Sequence, residues 1–153
     1  MNPLLFEKQK NGFEHAKKGA LSIRSLNHVS FSVPEPVKTG RFFCDILGFR
    51  VVRRPNFNFD GIWLYSYGIQ IHLIQGTALE RPGTLKPNTD HISFQADDLS
   101  SIQNKLDALD IPYLCEFHEA EKLLQLFFKE PHSGIMIEIC NCEVFPVEYI
   151  DEL

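Results

Sequence analysis

The chain has no basic block anywhere, few cysteines, a single tryptophan and no long uninterrupted apolar run. Each shortage excludes something. Lys and Arg number 15 against 20 Asp and Glu, for a net charge of −5, so a nucleic-acid backbone or an anionic membrane is not the expected partner. From Met1 to Ser25 the charges Glu7, Lys8, Lys10, Glu14, Lys17 and Lys18 interrupt the apolar residues, the wrong layout for a signal peptide or a membrane span. A cytoplasmic protein is the expectation. The ending Asp151-Glu152-Leu153 follows Ile150 rather than Lys, so its likeness to a retention signal reads as coincidence. The four cysteines, Cys44, Cys115, Cys140 and Cys142, are too few for a disulfide scaffold and are expected as reduced structural thiols. Cys140 and Cys142 form a C-x-C, but no second pair or nearby His completes a metal site in the sequence.

What is present is ordinary for one compact domain: 153 residues, 44% hydrophobic, with nine Gly and nine Pro. A chain of this length buries roughly two-thirds of its unfolded surface and needs no cross-link for basic stability.

The chain also contains itself twice. Leu26-Asn27-His28-Val29-Ser30-Phe31-Ser32-Val33 aligns with Thr89-Asp90-His91-Ile92-Ser93-Phe94-Gln95-Ala96, the offset from His28 to His91 being 63. Gly68-Ile69-Gln70-Ile71-His72-Leu73-Ile74 aligns with Gly134-Ile135-Met136-Ile137-Glu138-Ile139-Cys140, the offset from His72 to Glu138 being 66. Two unrelated strands of similar composition would explain one block but not both.

Periodicity assigns the same element order to each half. The first half predicts a strand over 26–33, a helix opened by Pro34-Glu35-Pro36 and stopped after Leu47 by Gly48, and strands near 49–53, 62–66 and 69–74. The second predicts a strand over 90–96, a helix started by Asp98 and running to about Leu109, and strands near 113–116, 123–129 and 135–140. The division is a 1–22 arm, a first βαβββ module over 23–75, a 76–88 linker marked by Pro82, Gly83 and Pro87, a second module over 89–142, and a 143–153 tail. The expected class is α+β, with tandem βαβββ modules forming a curved mixed sheet.

Alternation along each strand sorts the side chains by face. His28, Ser30 and Ser32 oppose Val29, Phe31 and Val33. His91, Ser93 and Gln95 oppose Ile92, Phe94 and Ala96. Gln70 and His72 oppose Ile69, Ile71 and Leu73, and Glu138 opposes Ile137 and Ile139. Helices are expected on the apolar faces, leaving His28, His72, His91 and Glu138 to enter a shared cleft. Any one of these on a strand is more often a hydrogen-bonded bystander. Four at repeat-equivalent positions point instead to one divalent cation, and three imidazoles with a carboxylate suit Zn, Ni, Mn or Fe rather than Ca or Mg. The remaining histidines, His15, His118 and His132, have no such register and are expected at the surface.

With these motifs in view, the chain resembles the vicinal oxygen chelate superfamily, and within it the glyoxalase I-like proteins of plants. The resemblance runs from Leu26 to Cys142 and includes Leu26-Asn27-His28-Val29-Ser30, Leu47-Gly48-Phe49, Arg53-Arg54-Pro55, Trp63-Leu64, Asp90-His91-Ile92-Ser93-Phe94-Gln95 and Met136-Ile137-Glu138-Ile139-Cys140-Asn141-Cys142. It implies paired modules around a metal held by the first and fourth strands of each: His28, His72, His91 and Glu138. Zn or Ni is the implied metal, with Mn, Co and Fe as alternatives. The implied reaction is isomerisation of the hemithioacetal of methylglyoxal and glutathione to lactoylglutathione through a metal-chelated enediolate, Glu138 moving the proton. A homodimer is implied, in which modules of two chains complete one cleft.

The sequence departs from glyoxalase I in three places. His72 stands where a Glu is usual, and Ser32 and Gly76 stand where bacterial glyoxalases carry an Arg and an Asn that help hold glutathione. Arg54 offers a different anchor for an anionic small-molecule substrate, with Trp63 and Phe127 as further candidates for the pocket wall. The rival readings are an extradiol-type dioxygenase using a two-His, one-carboxylate iron site, and a non-catalytic protein of the same fold that binds a small ligand.

Overall fold

The computed structural model describes residues 21, 23–77 and 80–144. All of the arm but Leu21, most of the tail and His15 lie outside the described residues. The first module consists of β1 (His28–Val33), α1 (Pro36–Asp45), β2 (Arg50–Val52), β3 (Gly61–Ser66) and β4 (Ile69–Gln75). The second consists of β5 (Ile92–Gln95), α2 (Leu99–Ala108), β6 (Tyr113–His118), β7 (Leu123–Lys129) and β8 (Met136–Cys140), followed by a 3₁₀ turn at Cys142–Val144. The α+β class and the βαβββ order read from the repeat are both observed. The strands form two four-stranded mixed sheets, ordered β1-β4-β3-β2 and β5-β8-β7-β6. In each sheet the first strand runs parallel to the last strand of its module and the other pairs are antiparallel.

Local chemistry sets the boundaries. Pro36, with its fixed φ, opens α1 where no amide is needed for an intrahelical bond. The Asp98 carboxylate accepts a hydrogen bond from Ser101 N at 2.9 Å and caps α2. A two-residue turn joins β3 to β4, with φ of 51° at Tyr67 and 77° at Gly68, both in the left-handed region that a tight hairpin requires. Glycine accepts that conformation readily. Tyr67 is held there by its hydroxyl, which donates to Leu47 O at 2.7 Å.

One core serves both modules. Val33, Phe43, Leu47, Phe49, Leu64, Ile71 and Leu73 of the first pack in one cluster with Leu106, Phe128, Ile135, Ile137 and Ile139 of the second. Each large side chain fully buried there stabilises the fold by about 1.5–3 kcal/mol, so neither half would keep its apolar face covered alone. A polar link crosses the same boundary. The fully buried Glu130 accepts from Thr39 Oγ1 of α1 at 3.4 Å and from the amides of His132 and Ser133 at 3.0 and 2.5 Å. It therefore ties the β7–β8 hairpin to the first helix.

Candidate metal and substrate site

The alternation that directs Ile71, Leu73, Ile137 and Ile139 into the shared core directs His72 and Glu138 to the other face of each sheet. On the first sheet the parallel register places His28 beside Gln70 and Ser30 beside His72, while Trp63 lies across from His72 on β3. The three rings stack. His72 is parallel to Trp63, with ring centroids 4.0 Å apart and planes 3° apart, and its other side meets His28 at 4.0 Å and 15°. The His28 ring is held by a 2.8 Å bond from Nδ1 to Asn27 Oδ1, and His72 Nε2 donates to Gln70 Oε1 at 3.1 Å. Each histidine keeps one ring nitrogen outside these bonds. Burial in the stack, with the charge of His28 as the lesser cause, lowers the His72 pKa below the ordinary histidine value. His72 is therefore neutral at physiological pH, the form in which imidazole binds a metal.

The second sheet carries the equivalent pair. His91 directly precedes β5, and its Nδ1 donates to Thr89 O at 2.7 Å. That bond turns Nε2 toward Glu138, 3.0 Å from Oε2. With Nδ1 carrying its proton to a carbonyl, the imidazole nitrogen and the carboxylate oxygen face each other as two acceptors, and a proton or a cation has to lie between them. Glu138 is 3% exposed, and Gln125 of β7 donates to its other oxygen at 2.6 Å. Phe127 faces Glu138 across the strand pair and sets its ring edge-on to His91 at 5.6 Å. These partners orient the rings and the carboxylate as supporting bonds do at metal centres.

The structure thus brings the four expected ligands together as two pairs, one on each sheet, both turned away from the common core. Among the described residues, no group of three His, Cys, Asp or Glu unites a member of the first pair with a member of the second. Arg54 lies in the β2–β3 loop, its guanidinium 5.7 Å from the Phe57 ring and 5.2 Å from the Phe59 ring, and donates to Phe59 O. Phe57 is 6.0 Å from Trp63, so Arg54 sits at the far end of the same aromatic wall as the histidines. His118 and His132 are exposed, as their lack of register suggested.

The cysteines differ from expectation. Cys140 and Cys142 are joined as a disulfide, and Cys44 and Cys115 are free. The cause is local: the chain leaves β8 into the 3₁₀ turn and carries Cys142 back toward Cys140. Gln125 was not singled out from the sequence. The signal existed, as the one uncharged polar residue within the apolar run Leu123-Leu124-Gln125-Leu126-Phe127, on the face that alternation gives to Phe127.

Comparison with known proteins agrees with this architecture. Residues 25–139 match the Glyoxalase/Bleomycin resistance protein/Dioxygenase superfamily. The chain is 38% identical over 133 residues to Glyoxylase I 4 of Arabidopsis thaliana, covering 83% of this chain and 76% of that protein. Its fold is similar to that of a lactoylglutathione lyase from Agrobacterium tumefaciens, with a TM-score of 0.58 and 13% identity over 78% of this chain and 95% of that one. It is likewise similar to a fosfomycin resistance protein, FosX, of Listeria monocytogenes in complex with Mn(II), with a TM-score of 0.61 and 17% identity over 78% and 93% of the two chains. No helix among the described residues is long and apolar enough to cross a membrane.

Proposed function

The chain belongs to the Glyoxalase/Bleomycin resistance protein/Dioxygenase superfamily, and on that premise we propose that it is a metal-dependent lyase or isomerase of the glyoxalase I kind. Its site is shared between two copies. The observation that carries this reading is the pairing itself: His28 with His72 on one sheet, His91 with Glu138 on the other, at repeat-equivalent positions on faces turned away from one core. A second chain that lays its second module against the first module of this one would bring three imidazoles and a carboxylate together twice, once at each end of a symmetric homodimer.

The donor set fits a borderline divalent cation, Zn or Ni first and Mn, Co or Fe after them. The 3.0 Å approach of His91 Nε2 to Glu138 Oε2 supports that fit, since two donor atoms that close can share one cation. When bound there, the cation supplies Lewis-acid stabilisation of charge developing on adjacent substrate oxygens. The rest falls to the chain's own groups. Glu138 takes a proton from one carbon and returns it at the next, Gln125 holding Oε1 while Oε2, which faces His91 Nε2, carries the proton. Phe127 and Trp63 shield the reacting carbons from water. The substrate class is a small α-oxygenated carbonyl compound or its thiol adduct.

The test is direct: methylglyoxal and glutathione are supplied to purified protein loaded in turn with Zn, Ni, Co and Mn. Metal-dependent appearance of the lactoylglutathione thioester is expected. If no metal supports thioester formation, the assignment to this reaction is wrong.

A further inference from the structure

β8 and the turn after it carry two cysteines that the proposed reaction leaves unused, beside a carboxylate that it uses. Glu138 and Cys140 are two apart on β8 and so present one face, and the 3₁₀ turn brings Cys142 to the same side. One carboxylate oxygen and the two sulfur atoms lie within 4.8 Å of one another. Cys142 Sγ is 3.9 Å from Glu138 Oε1, and Cys140 Sγ is 3.5 Å from Ser93 Oγ. An extended chain separates residues two apart by about 6.6 Å, whereas the Cα atoms of Cys140 and Cys142 are 5.3 Å apart. Bonds that do not involve sulfur hold this contraction. Asn141 Oδ1 accepts from Leu124 N at 2.8 Å and its Nδ2 donates to Lys122 O at 3.0 Å. Val144 N donates to Asn141 O at 3.1 Å and Glu143 N to Gln95 Oε1 at 2.9 Å. Cleavage of the disulfide would leave both sulfurs facing Glu138.

We propose that Cys140, Cys142 and Glu138 form a reduction-gated site for a thiophilic divalent cation of the Zn²⁺ class, assembled within a single chain. In the oxidised chain the two sulfurs are bonded to each other and the site is closed. Two molecules of a low-molecular-weight thiol open it: their sulfurs join as a disulfide, and the Cys140–Cys142 bond takes up the two electrons and two protons released. The cation then displaces the two thiol protons and is held by two thiolates and the Glu138 carboxylate, a donor set suited to zinc. His91, already against Glu138, is the nearest candidate for a fourth donor. Glu138 is common to this site and the one proposed above, as is His91 where it serves as the fourth donor, but the two thiolates belong to this site alone and the inference does not rest on that reading. Where both sites operate, reduction draws Glu138 toward the sulfurs and withdraws it from proton transfer.

The experiment uses Co²⁺ as probe on the full chain, as oxidised protein and after treatment with a phosphine reductant. Reduction is expected to expose two additional titratable thiols and to permit binding of about one equivalent of Co²⁺ with a thiolate-to-cobalt charge-transfer band in the near ultraviolet. The oxidised chain should lack the band. Cys142→Ser and Cys140→Ser should each abolish it in the reduced protein, with circular dichroism confirming the fold, while His72→Ala should retain it. The proposal is overturned if reduction exposes no further thiols, if the reduced chain binds Co²⁺ without the band, or if the band survives both serine variants. The site of three histidines and Glu138 has no sulfur donor, so Co²⁺ binding without the band would count against this inference and leave the other reading intact.

Discussion

The imidazole of His72 lies flat on the indole of Trp63, with ring centroids 4.0 Å apart and planes 3° apart. Trp63 is the only tryptophan of the chain, so its fluorescence reports on a proposed metal ligand with no background from other indoles. Addition of Ni²⁺ to the metal-free protein is predicted to quench Trp63 emission saturably. His72→Ala should abolish the saturable component. Unchanged quenching in that variant would remove His72 from the ligand set.

The same stack makes stability depend on pH. Burial, and secondarily the charge of His28, hold the folded-state pKa of His72 below its unfolded value. Between the two values the unfolded chain binds more protons than the folded one, so stability rises with pH across that window. For chelator-treated protein this contribution is predicted to be complete above the ordinary histidine pKa of about 6.5 and to fall away as the pH drops below it. His72→Gln should flatten that part of the profile in urea unfolding. An unaltered slope would contradict the assignment.

Glu138 is predicted to matter to turnover more than to folding. Glu138→Gln keeps the shape and a partner for Gln125 but removes the base, and the rate should fall by about 10²–10⁴-fold. Circular dichroism and thermal unfolding should show a folded protein. Activity within a few-fold of wild type would assign the proton transfer elsewhere.

Glu130 is predicted to behave in the opposite way. It is fully buried and gathers donors from Thr39, His132 and Ser133, so Glu130→Ala leaves several buried donors unsatisfied, at about 1–3 kcal/mol for each. A loss of roughly 3 kcal/mol is expected, read as a lower urea midpoint with an unchanged m-value. A loss of stability of less than about 0.5 kcal/mol would show that the link between the modules is not structural.

Much of this architecture was legible in the sequence because a period of two is a local property. The alternation through His28–Val33 and Ile69–Gln75 fixed the faces of β1 and β4, and Gly48 and Asp98 marked helix ends close to where they lie. α1 stops at Asp45 rather than Leu47 because Ile46 and Leu47 close a turn onto Gly48. What alternation cannot carry is the direction in which a face points relative to another module. That Ile71 and Ile137 meet in one core, leaving His72 and Glu138 turned away from it, depends on packing between segments far apart in the chain. The Cys140–Cys142 bond escaped for a related reason: C-x-C spacing in a strand keeps sulfurs apart, and only the turn held by Asn141 brings them together.

The central claim, a site divided between two chains, is tested most directly by complementation. His72→Ala damages only the first-module pair and His91→Ala only the second, so each homodimer should lack an intact site. Mixing the two proteins under conditions of subunit exchange produces heterodimers in which one of the two sites draws both of its modules from undamaged halves. Random exchange should therefore restore about one quarter of the wild-type tight Ni²⁺ sites. If exchange is verified and no tight Ni²⁺ binding returns, the ligands are not shared between chains.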